Sequence, residues 1–230
     1  MGNDRPRSRS YGSGRLPVQL AACLLASIAW LASPGLGRAA EPVKVVALGD
    51  SLTAGYGLPA ERTFSAKLQA ALKAKGIVAT IANAGVSGDT AAAALDRLAW
   101  SVPDGTDAVI VELGANDALR GLDPGLTEKA LTAILDKLQA RHIPVLLAGM
   151  KAPRNLGSDY TARFDAIYPK LASTHPVVFY PFFLDGVAAE PHLNQGDGMH
   201  PNTAGVDVIV ARILPKVEEL ITRARTARGR

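Results

Sequence analysis

Apolar runs of strand length alternate with helical patterns throughout the chain after residue 40, and this alternation constrains the fold more than any other feature. Continuous apolar strands separated by helices are typical of a parallel sheet that is covered on both faces. The predicted strands are Val43–Leu48, Val78–Ala82, Ala108–Leu113, Pro144–Leu147 and Val177–Tyr180. The predicted helices are Ser65–Lys75, Thr90–Trp100, Thr127–Arg141, Asp159–Ala172 and Thr203–Thr222, with Thr90 and Thr127 as caps. We therefore expect one α/β domain.

The first 40 residues differ in composition from the rest of the chain. A basic start rich in arginine precedes an apolar stretch, Leu16–Ala32, which ends at a Ser-Pro-Gly break. Gly37 and Ala39 then supply the small residues of a cleavage site, so the order predicts a secretory signal peptide over residues 1–40, cut near Ala39 or Ala40. The alternative is an uncleaved anchor, but the stretch is shorter than the roughly 20 residues that span a bilayer comfortably. We expect a periplasmic or secreted domain over residues 41–222, followed by a basic tail over residues 223–230.

The leader also accounts for the net charge and for the only cysteine. The chain carries a formal charge of +4, but residues 1–40 contain five arginines and Asp4, so the remainder is balanced. The basic pI therefore gives no indication of a nucleic-acid partner. Cys23 ends the sequence "LAAC", which resembles a lipoprotein cleavage box, and its lipidation is the alternative to ordinary cleavage. After ordinary cleavage the chain has no thiol for a nucleophile, a disulfide or a metal site.

Four short clusters, each rich in glycine and polar residues, follow predicted strands or precede the last helix. "GDSLTAGYG" starts at Gly49, "NAGVSGDT" at Asn83, "GANDALRG" at Gly114 and "GDGMHPN" at Gly196. Ligands of open parallel sheets bind outside the carboxyl ends of the strands. The clusters therefore predict one shared site at that edge.

Ser51 is the best candidate nucleophile, because it follows a strand and opens a turn into a helix. Its competitor, Ser87, can be explained as a cap of the next segment. A serine nucleophile needs a base and a group that orients the base. His200 lies three residues after Asp197, a spacing at which one turn brings the carboxylate to the imidazole Nδ1–H. The sequence predicts a Ser51–His200–Asp197 triad. Structural or solvated positions are expected for His142 and His175, and His192 lies in the last long loop.

Candidate donors to an oxyanion come from three of the clusters. The Gly88 backbone can approach a ligand closely because glycine has no Cβ. Asn116 offers a side-chain amide, although a turn residue that bonds its own backbone is an equal alternative. The N–H of Ser51 lies at the strand-to-helix turn. That turn is not a G-x-S-x-G elbow, since Thr53 stands two residues after the serine.

Together, the blocks "GDSLTAGYG", "SGDT", "GAND" and "DGMH" resemble the GDSL esterases, also called SGNH hydrolases. The serine, glycine, asparagine and histidine of that name fall on Ser51, Gly88, Asn116 and His200, with Asp197 as the triad acid. The order and approximate spacing match over nearly all of residues 43–215. The stretches "VELGANDALRG", "APRNLGSDYTARFDAIYPKLA" and "DGMHPN" resemble the secreted bacterial thioesterase, arylesterase and lysophospholipase branch.

The resemblance implies a three-layer flavodoxin-like fold with a five-stranded parallel sheet in the order 2-1-3-4-5. It implies hydrolysis of aryl, acyl and lysophospholipid-type esters and of acyl thioesters, with no metal or organic cofactor. We expect a monomer without a membrane span that acts on a small acyl ester or thioester. Apolar residues near the predicted loops favour acyl chains over acetylated sugars: Leu52, Ala54, Leu58, Leu156, Phe182 and Phe183.

Three alternatives remain open at this point. Within the family, the chain would be a carbohydrate O-deacetylase. Outside it, Asp50, Asp117, Asp197 and His200 would be the ligands of a metal-dependent phosphoesterase, or the chain would be a binding protein with a decayed site. The serine mechanism predicts activity that survives a chelator and is lost when an organophosphonate labels Ser51. Asp50 itself fits either a cap of the next helix or a brace of the turn.

Overall fold

A computed structural model describes residues 1–3 and 41–229. The predicted cleavage site, the apolar leader and Cys23 fall on residues 4–40, outside the described residues. Within the described part of the chain, no helix combines the length and the apolar character needed to cross a membrane.

Five parallel strands form one sheet in the order β2-β1-β3-β4-β5, which confirms the order implied by the resemblance. The strands are β1 (Val43–Gly49), β2 (Ala79–Gly85), β3 (Ala108–Glu112), β4 (Val145–Ala148) and β5 (Val178–Tyr180). Gly49, the last residue of β1, pairs with Gly85 of β2 and with Glu112 of β3. The three strands therefore end at one level, and their following loops start side by side.

Helices cover both faces of this sheet and complete a three-layer α/β fold. They are α1 (Ser51–Ala54), α2 (Phe64–Ala74), α3 (Ala91–Asp96), α4 (Leu98–Ser101), α5 (Ala115–Leu119), α6 (Pro124–Ala140), α7 (Ser158–Asp165), α8 (Ile167–Thr174) and α9 (Thr203–Arg228). Short 3₁₀ helices occur at Ala60–Arg62, Arg154–Leu156 and Pro191–Leu193. Helices α2 and α9 pack together on one face, and α6 packs with α3 and α8 on the other.

The core lies on both sides of the three central strands. Leu48, Ile110 and Leu146 of the sheet are fully buried, as are Leu68 of α2 and Leu131 of α6. Burial of one such side chain stabilises the fold by about 1.5–3 kcal/mol. Because both faces of these strands are covered, their sequences are continuously apolar rather than alternating.

Two predicted helices are each broken in two. The predicted helix Thr90–Trp100 divides into α3 and α4 at Arg97, and Asp159–Ala172 divides into α7 and α8 at Ala166. The predicted cap at Thr90 is confirmed, since its side chain accepts the Ala93 N–H. Apolar periodicity continues through both breaks, so the sequence pattern alone predicts one helix in each case. The division into two helices depends on tertiary contacts.

The predicted cap at Thr127 is wrong. Helix α6 begins one turn earlier, at Pro124, and Asp123 caps it by accepting the Gly125 N–H at 2.7 Å. Proline suits the first helical position because it has no N–H to leave unpaired there. Thr127 is buried instead, and its hydroxyl donates to Asp117 at 3.0 Å.

The final helix is longer than predicted. It runs past Thr222 to Arg228, so the segment predicted to be a basic tail is helical up to that residue. Arg223 donates to the Pro176 carbonyl and to Glu219, while Arg228 pairs with Asp107. These partners explain why the helix continues through a strongly basic sequence.

Candidate active site

The turn after β1 displays Ser51 as the first residue of α1. Asp50 caps that helix, and its Oδ1 accepts the Leu52 N–H at 3.0 Å. A Cβ on Gly49 would collide with the Thr53 hydroxyl and with the Glu112 carbonyl, so only glycine fits between the strand and the helix. The turn is therefore tight, and it places the Ser51 hydroxyl at the carboxyl edge of the sheet.

The structure brings Ser51, His200 and Asp197 together in one chain of hydrogen bonds. Ser51 Oγ lies 3.0 Å from His200 Nε2, and His200 Nδ1 lies 2.6 Å from Asp197 Oδ2. The other oxygen of Asp197 accepts the backbone N–H groups of Met199 and His200 at 2.9 and 3.0 Å. Both of these side chains remain partly open to solvent, at 20% for His200 and 33% for Asp197.

Hydrogen bonds keep Asp197 ionised. The backbone N–H of His200, its imidazole and the N–H of Met199 lower the pKa of Asp197 to about 2. A carboxylate in this state holds Nδ1–H on the imidazole and leaves Nε2 free to accept the Ser51 proton. The geometry and the charge together suit a general base.

Contacts from the neighbouring loop fix the position of His200. The ring of Tyr56 lies 4.7 Å from the imidazole, centroid to centroid, at an angle of 38°. Gln195 donates from its side chain to the carbonyls of Tyr56 and Pro201, and its backbone N–H donates to the His200 carbonyl at 2.7 Å. Gln195 thus ties the loop after β1 to the loop that carries the histidine.

Gly88 lies in the second cluster with φ of +88°, a left-handed conformation that favours glycine. Its carbonyl accepts Arg120 Nη2 at 2.6 Å. The backbone N–H groups of Gly88 and Ser51 donate to no protein acceptor in the described part of the chain. Both are thus available to an incoming oxygen.

The alternative for Asn116 was a turn residue that bonds its own backbone. Its side chain instead bonds groups in two other clusters. Its Nδ2 donates to Asp50 Oδ2 at 3.2 Å and to the Asp89 carbonyl at 3.0 Å. The amide therefore connects the first, second and third clusters. Two acceptors on one NH₂ group hold the plane of the amide in a single orientation.

Two buried carboxyl groups, Asp50 and Glu112, lie behind Ser51. Burial raises the pKa of Asp50 to about 6, although the Leu52 N–H and the Asn116 amide act in the opposite direction. Burial, and then the charge of Asp50, raise the pKa of Glu112 well above its usual value. Thr53 Oγ1 lies 2.7 Å from Glu112 Oε2, whereas Oε1 has no hydrogen-bond partner among the described residues. Burial thus favours the protonated form of Glu112, and Asp50 both caps α1 and braces the turn.

Asp117 serves the fold rather than the reacting centre. It is buried, and its carboxylate accepts the Ala91 N–H at 2.9 Å and the Thr127 hydroxyl at 3.0 Å. It thus fastens the third cluster to α3 and α6. Over residues 41–229, no group of three or more His, Cys, Asp or Glu side chains is arranged to hold a metal ion.

The remaining candidates lie away from the hydrogen-bonded triad. His142 and His175 line a separate cavity of about 540 Å³ at the amino ends of β4 and β5. His175 Nε2 also lies 3.3 Å from Asp136. His192 is mostly exposed beside Glu190, and Ser87 is exposed as well. None of the four takes part in the hydrogen bonds that join Ser51 to Asp197.

Ser51, Asn116 and His200 line a cleft of about 450 Å³. Most of its remaining wall is apolar, with Lys151 at one side: Leu52, Ala115, Leu119, Met150, Pro153, Leu184, Ala188, Ala189 and Met199. Of the six apolar residues predicted near the site, Leu52 alone lines this cleft. Phe183 belongs to the core, and Phe182 lies beneath the Lys151 ammonium, whose Nζ is 5.0 Å from the ring centroid.

The flavodoxin-like sheet carries a hydrogen-bonded serine, histidine and aspartate at its carboxyl edge, an arrangement typical of hydrolases that use a serine nucleophile. Comparison with known sequences then gives the family. Residues 47–208 match the GDSL-like Lipase/Acylhydrolase family, and the chain belongs to it.

Individual relatives agree with this assignment over most of the chain. The thioesterase 1/protease 1/lysophospholipase L1 of Escherichia coli strain K12 is 37% identical over 185 residues, which cover 80% of this chain and 88% of the relative. An arylesterase of Vibrio mimicus is 36% identical over 179 residues, covering 77% and 88%. The crystal structure of AlinE4, an SGNH-hydrolase family esterase, superposes with a TM-score of 0.67 at 48% identity, covering 78% and 96%. The predicted family and the predicted enzyme class, an ester hydrolase, are confirmed.

Proposed function

We propose that the chain hydrolyses carboxylic esters and acyl thioesters by acyl transfer through Ser51. The hydrogen-bonded path from Ser51 Oγ to His200 Nε2 at 3.0 Å, and from His200 Nδ1 to Asp197 at 2.6 Å, carries this proposal. A hydroxyl at this distance from a neutral, oriented imidazole is the arrangement that activates a serine.

Each half of the reaction moves one proton through His200. As Ser51 Oγ attacks the acyl carbonyl, its proton passes to Nε2, and the Asp197 carboxylate stabilises the imidazolium. The tetrahedral intermediate then collapses, and His200 protonates the leaving alcohol or thiol. In the second half, His200 takes a proton from water, which attacks the acyl-enzyme, and returns that proton to Ser51 as the acid leaves.

We assign three donors to the oxyanion that forms when Ser51 attacks. The unpaired N–H groups of Ser51 and Gly88 supply two of them, and the Asn116 amide supplies the third. Both hydrogens of that amide are held in the free enzyme, and the bond to Asp50, at 3.2 Å, is the longer. An oxyanion that binds this amide therefore shares one of its hydrogens with Asp50 or with the Asp89 carbonyl, because neither hydrogen is free.

The cleft favours an acyl chain as the part of the substrate that it binds. Its mostly apolar wall, at about 450 Å³, is of the size and character that bind small apolar groups, and it offers few partners for the hydroxyls of a sugar. Aryl esters, lysophospholipids and acyl thioesters, which the relatives' names indicate for those proteins, are the substrates we propose here. An acetylated carbohydrate fits this lining less well.

Labelling and substrate comparison test both parts of the proposal. An uncharged organophosphonate should add its mass to the peptide that contains Ser51 and abolish activity, while EDTA should leave activity unchanged. Ser51→Ala should be inactive and unlabelled. The ratio kcat/KM should be measured over ester chain lengths, beside an acyl thioester and a lysophospholipid. A strong preference for acetyl sugars would contradict the proposed substrate class, and activity in Ser51→Ala would contradict the nucleophile.

We further propose that the protein is exported and acts as a monomer. The basic start, the apolar stretch and the small residues near Ala39 support export. Sequencing the amino terminus of the protein recovered from the periplasm or medium should give a chain that starts at residue 40 or 41. Incorporation of labelled fatty acid that is lost in Cys23→Ala would show lipidation instead.

A further inference from the structure

Arg97 stands at the break between α3 and α4, and its side chain turns back under the carboxyl edge of the sheet. Only 15% of that side chain is exposed. The guanidinium donates from Nε to Asp89 Oδ2 at 2.6 Å and from Nη2 to the Gly49 carbonyl at 2.9 Å. Nη1 donates to the Ala84 carbonyl at 2.9 Å and to the Ser101 hydroxyl at 2.7 Å. One buried cation thus has four acceptors.

Three of these four acceptors belong to the segments that carry the proposed oxyanion donors, and the fourth, Ser101, lies in α4. The Gly49 carbonyl lies two residues before Ser51, at the end of β1. The Ala84 carbonyl lies near the end of β2, in the strand that leads to Gly88. Asp89 follows Gly88 directly, and its own carbonyl accepts the amide of Asn116 at 3.0 Å. A single side chain therefore connects all three donors without lining the cleft.

The chemistry of a guanidinium suits this task. Its planar, rigid set of donors holds several acceptors in fixed relative directions, which a flexible ammonium does not. Asp89 is as buried as its partner, at 14% exposed, so water competes little for this ion pair. Besides Arg97 and the Asn116 amide, three bonds among the described residues hold the loop of residues 86–89. The Val86 N–H donates to the Gly49 carbonyl, the Asp89 N–H donates to the Val86 carbonyl, and Arg120 Nη2 donates to the Gly88 carbonyl at 2.6 Å.

We propose that Arg97 is a positioning residue that sets the oxyanion donors relative to Ser51 Oγ. It holds the Gly88–Asp89 segment against the end of β1, and through the Asp89 carbonyl it holds the Asn116 amide. It does not touch the substrate. The inference rests on the proposed function of the same site.

Arg141 provides a matched control. It also uses a guanidinium to bond the carbonyls of a loop, donating to Val102 at 2.8 Å and to Pro103 at 3.2 Å. These carbonyls lie at the start of the loop that leads into β3, and none of the hydrogen bonds of Arg141 reaches a donor of the site. Replacing either arginine removes similar bonds, but only one replacement should affect the oxyanion donors.

The first test compares Arg97→Gln, Arg97→Lys and Arg141→Gln by circular dichroism, Tm, kcat and KM on one aryl ester. Arg97→Gln should lower kcat about 100-fold with KM changed less than about threefold, because small displacements of catalytic donors cost about this much. Arg97→Lys should retain part of the bonding and lose about tenfold. Arg141→Gln should lower Tm and keep kcat within about twofold of wild type.

The second test asks whether Arg97 acts through the oxyanion donors. In Arg97→Gln/Asn116→Ala, kcat should lie less than about tenfold below that of Asn116→Ala alone, since residues that act as a unit are not additive. A merely structural role would make the two losses multiply. Multiplied losses would overturn the proposal, as would a folded Arg97→Gln with wild-type kcat.

Failure of this inference is distinguishable from failure of the proposed function. Absence of phosphonate labelling at Ser51 in the wild type would refute the nucleophile whatever Arg97 does. If the wild type is labelled and active, and Arg97→Gln is folded and fully active, only the positioning role of Arg97 is refuted. If Arg97→Gln does not fold, Arg97→Lys decides: wild-type kcat in that variant overturns the proposal, and a loss in kcat at constant KM supports it.

Discussion

Two regions of the site shift the pKa values of their carboxyl groups in opposite directions. In the turn behind Ser51, Asp50 and Glu112 are fully buried, and burial raises the pKa of both. In the loop that carries His200, Asp197 is partly exposed and accepts three hydrogen bonds, so its pKa is lowered to about 2. The difference shows that hydrogen bonding near solvent keeps a charge available for catalysis, whereas burial turns a carboxyl group into a structural element that resists ionisation.

Stability responds to pH with opposite signs in the two regions. Asp197 has a folded pKa below its usual 3.8, so its contribution is present above that value and is lost as pH falls through about 2. Asp50 has a folded pKa above 3.8, so stability is lost as pH rises from about 4 to about 6. Asp50 therefore contributes most to stability in mild acid, where Asp197 is still ionised.

The largest effect should come from the exposed loop. We expect Asp197→Asn to lower kcat by about 10³–10⁴-fold, because an amide no longer holds the imidazole tautomer or stabilises the imidazolium. Since the residue is partly exposed, Tm should fall little. Steady-state kinetics and a thermal melt check this. A variant with kcat within tenfold of wild type would contradict the role of Asp197 in supporting His200.

The next largest effect should come from the Asn116 amide, which bonds Asp50 in the buried region. Removing one oxyanion donor costs about 10²–10³-fold in kcat, and we expect this loss for Asn116→Ala with the fold retained. The measurement is kcat at saturating substrate beside a circular dichroism spectrum. Asn116→Asp is a useful companion, since it keeps the shape but places a carboxyl group beside Asp50. Unchanged kcat in Asn116→Ala would remove this residue from the mechanism.

In the buried region, ionisation of Asp50 should change the free energy of unfolding rather than kcat. We expect the free energy of unfolding of wild type to fall by up to about 3 kcal/mol, relative to Asp50→Asn, between about pH 3 and about pH 7, from the pKa change of about two units. Above about pH 7 the difference should be constant. Urea titrations of both proteins at intervals of half a pH unit measure it. If the free energies of unfolding of the two proteins change with pH in parallel, Asp50 ionises as easily in the folded chain as in the unfolded one.

The fold and the triad were accessible from the sequence because their signals are local. Strand-length apolar runs predict the sheet, and the three-residue spacing of Asp197 and His200 predicts their contact. Arg97 and Glu112 were not predicted, since a polar residue inside an apolar run does not show which distant carbonyl or hydroxyl it meets. The wrong prediction of Thr127 as a helix cap has the same cause, since its partner Asp117 lies in another cluster. The helix break at Arg97 was also missed, because tertiary hydrogen bonds override helical propensity there.

The smallest expected effect concerns the aromatic contact in the exposed region. The Tyr56 ring lies 4.7 Å from the His200 ring and is half exposed, so its attraction for the imidazolium is worth about 0.5–1 kcal/mol. Tyr56→Leu should lower kcat about two- to fivefold, and Tyr56→Phe, which keeps the ring, should match wild type. Because the Gln195 bond goes to the Tyr56 backbone carbonyl, neither change removes the tie between the two loops. A loss in Tyr56→Phe equal to that in Tyr56→Leu would assign the effect to the phenol hydroxyl instead of the ring.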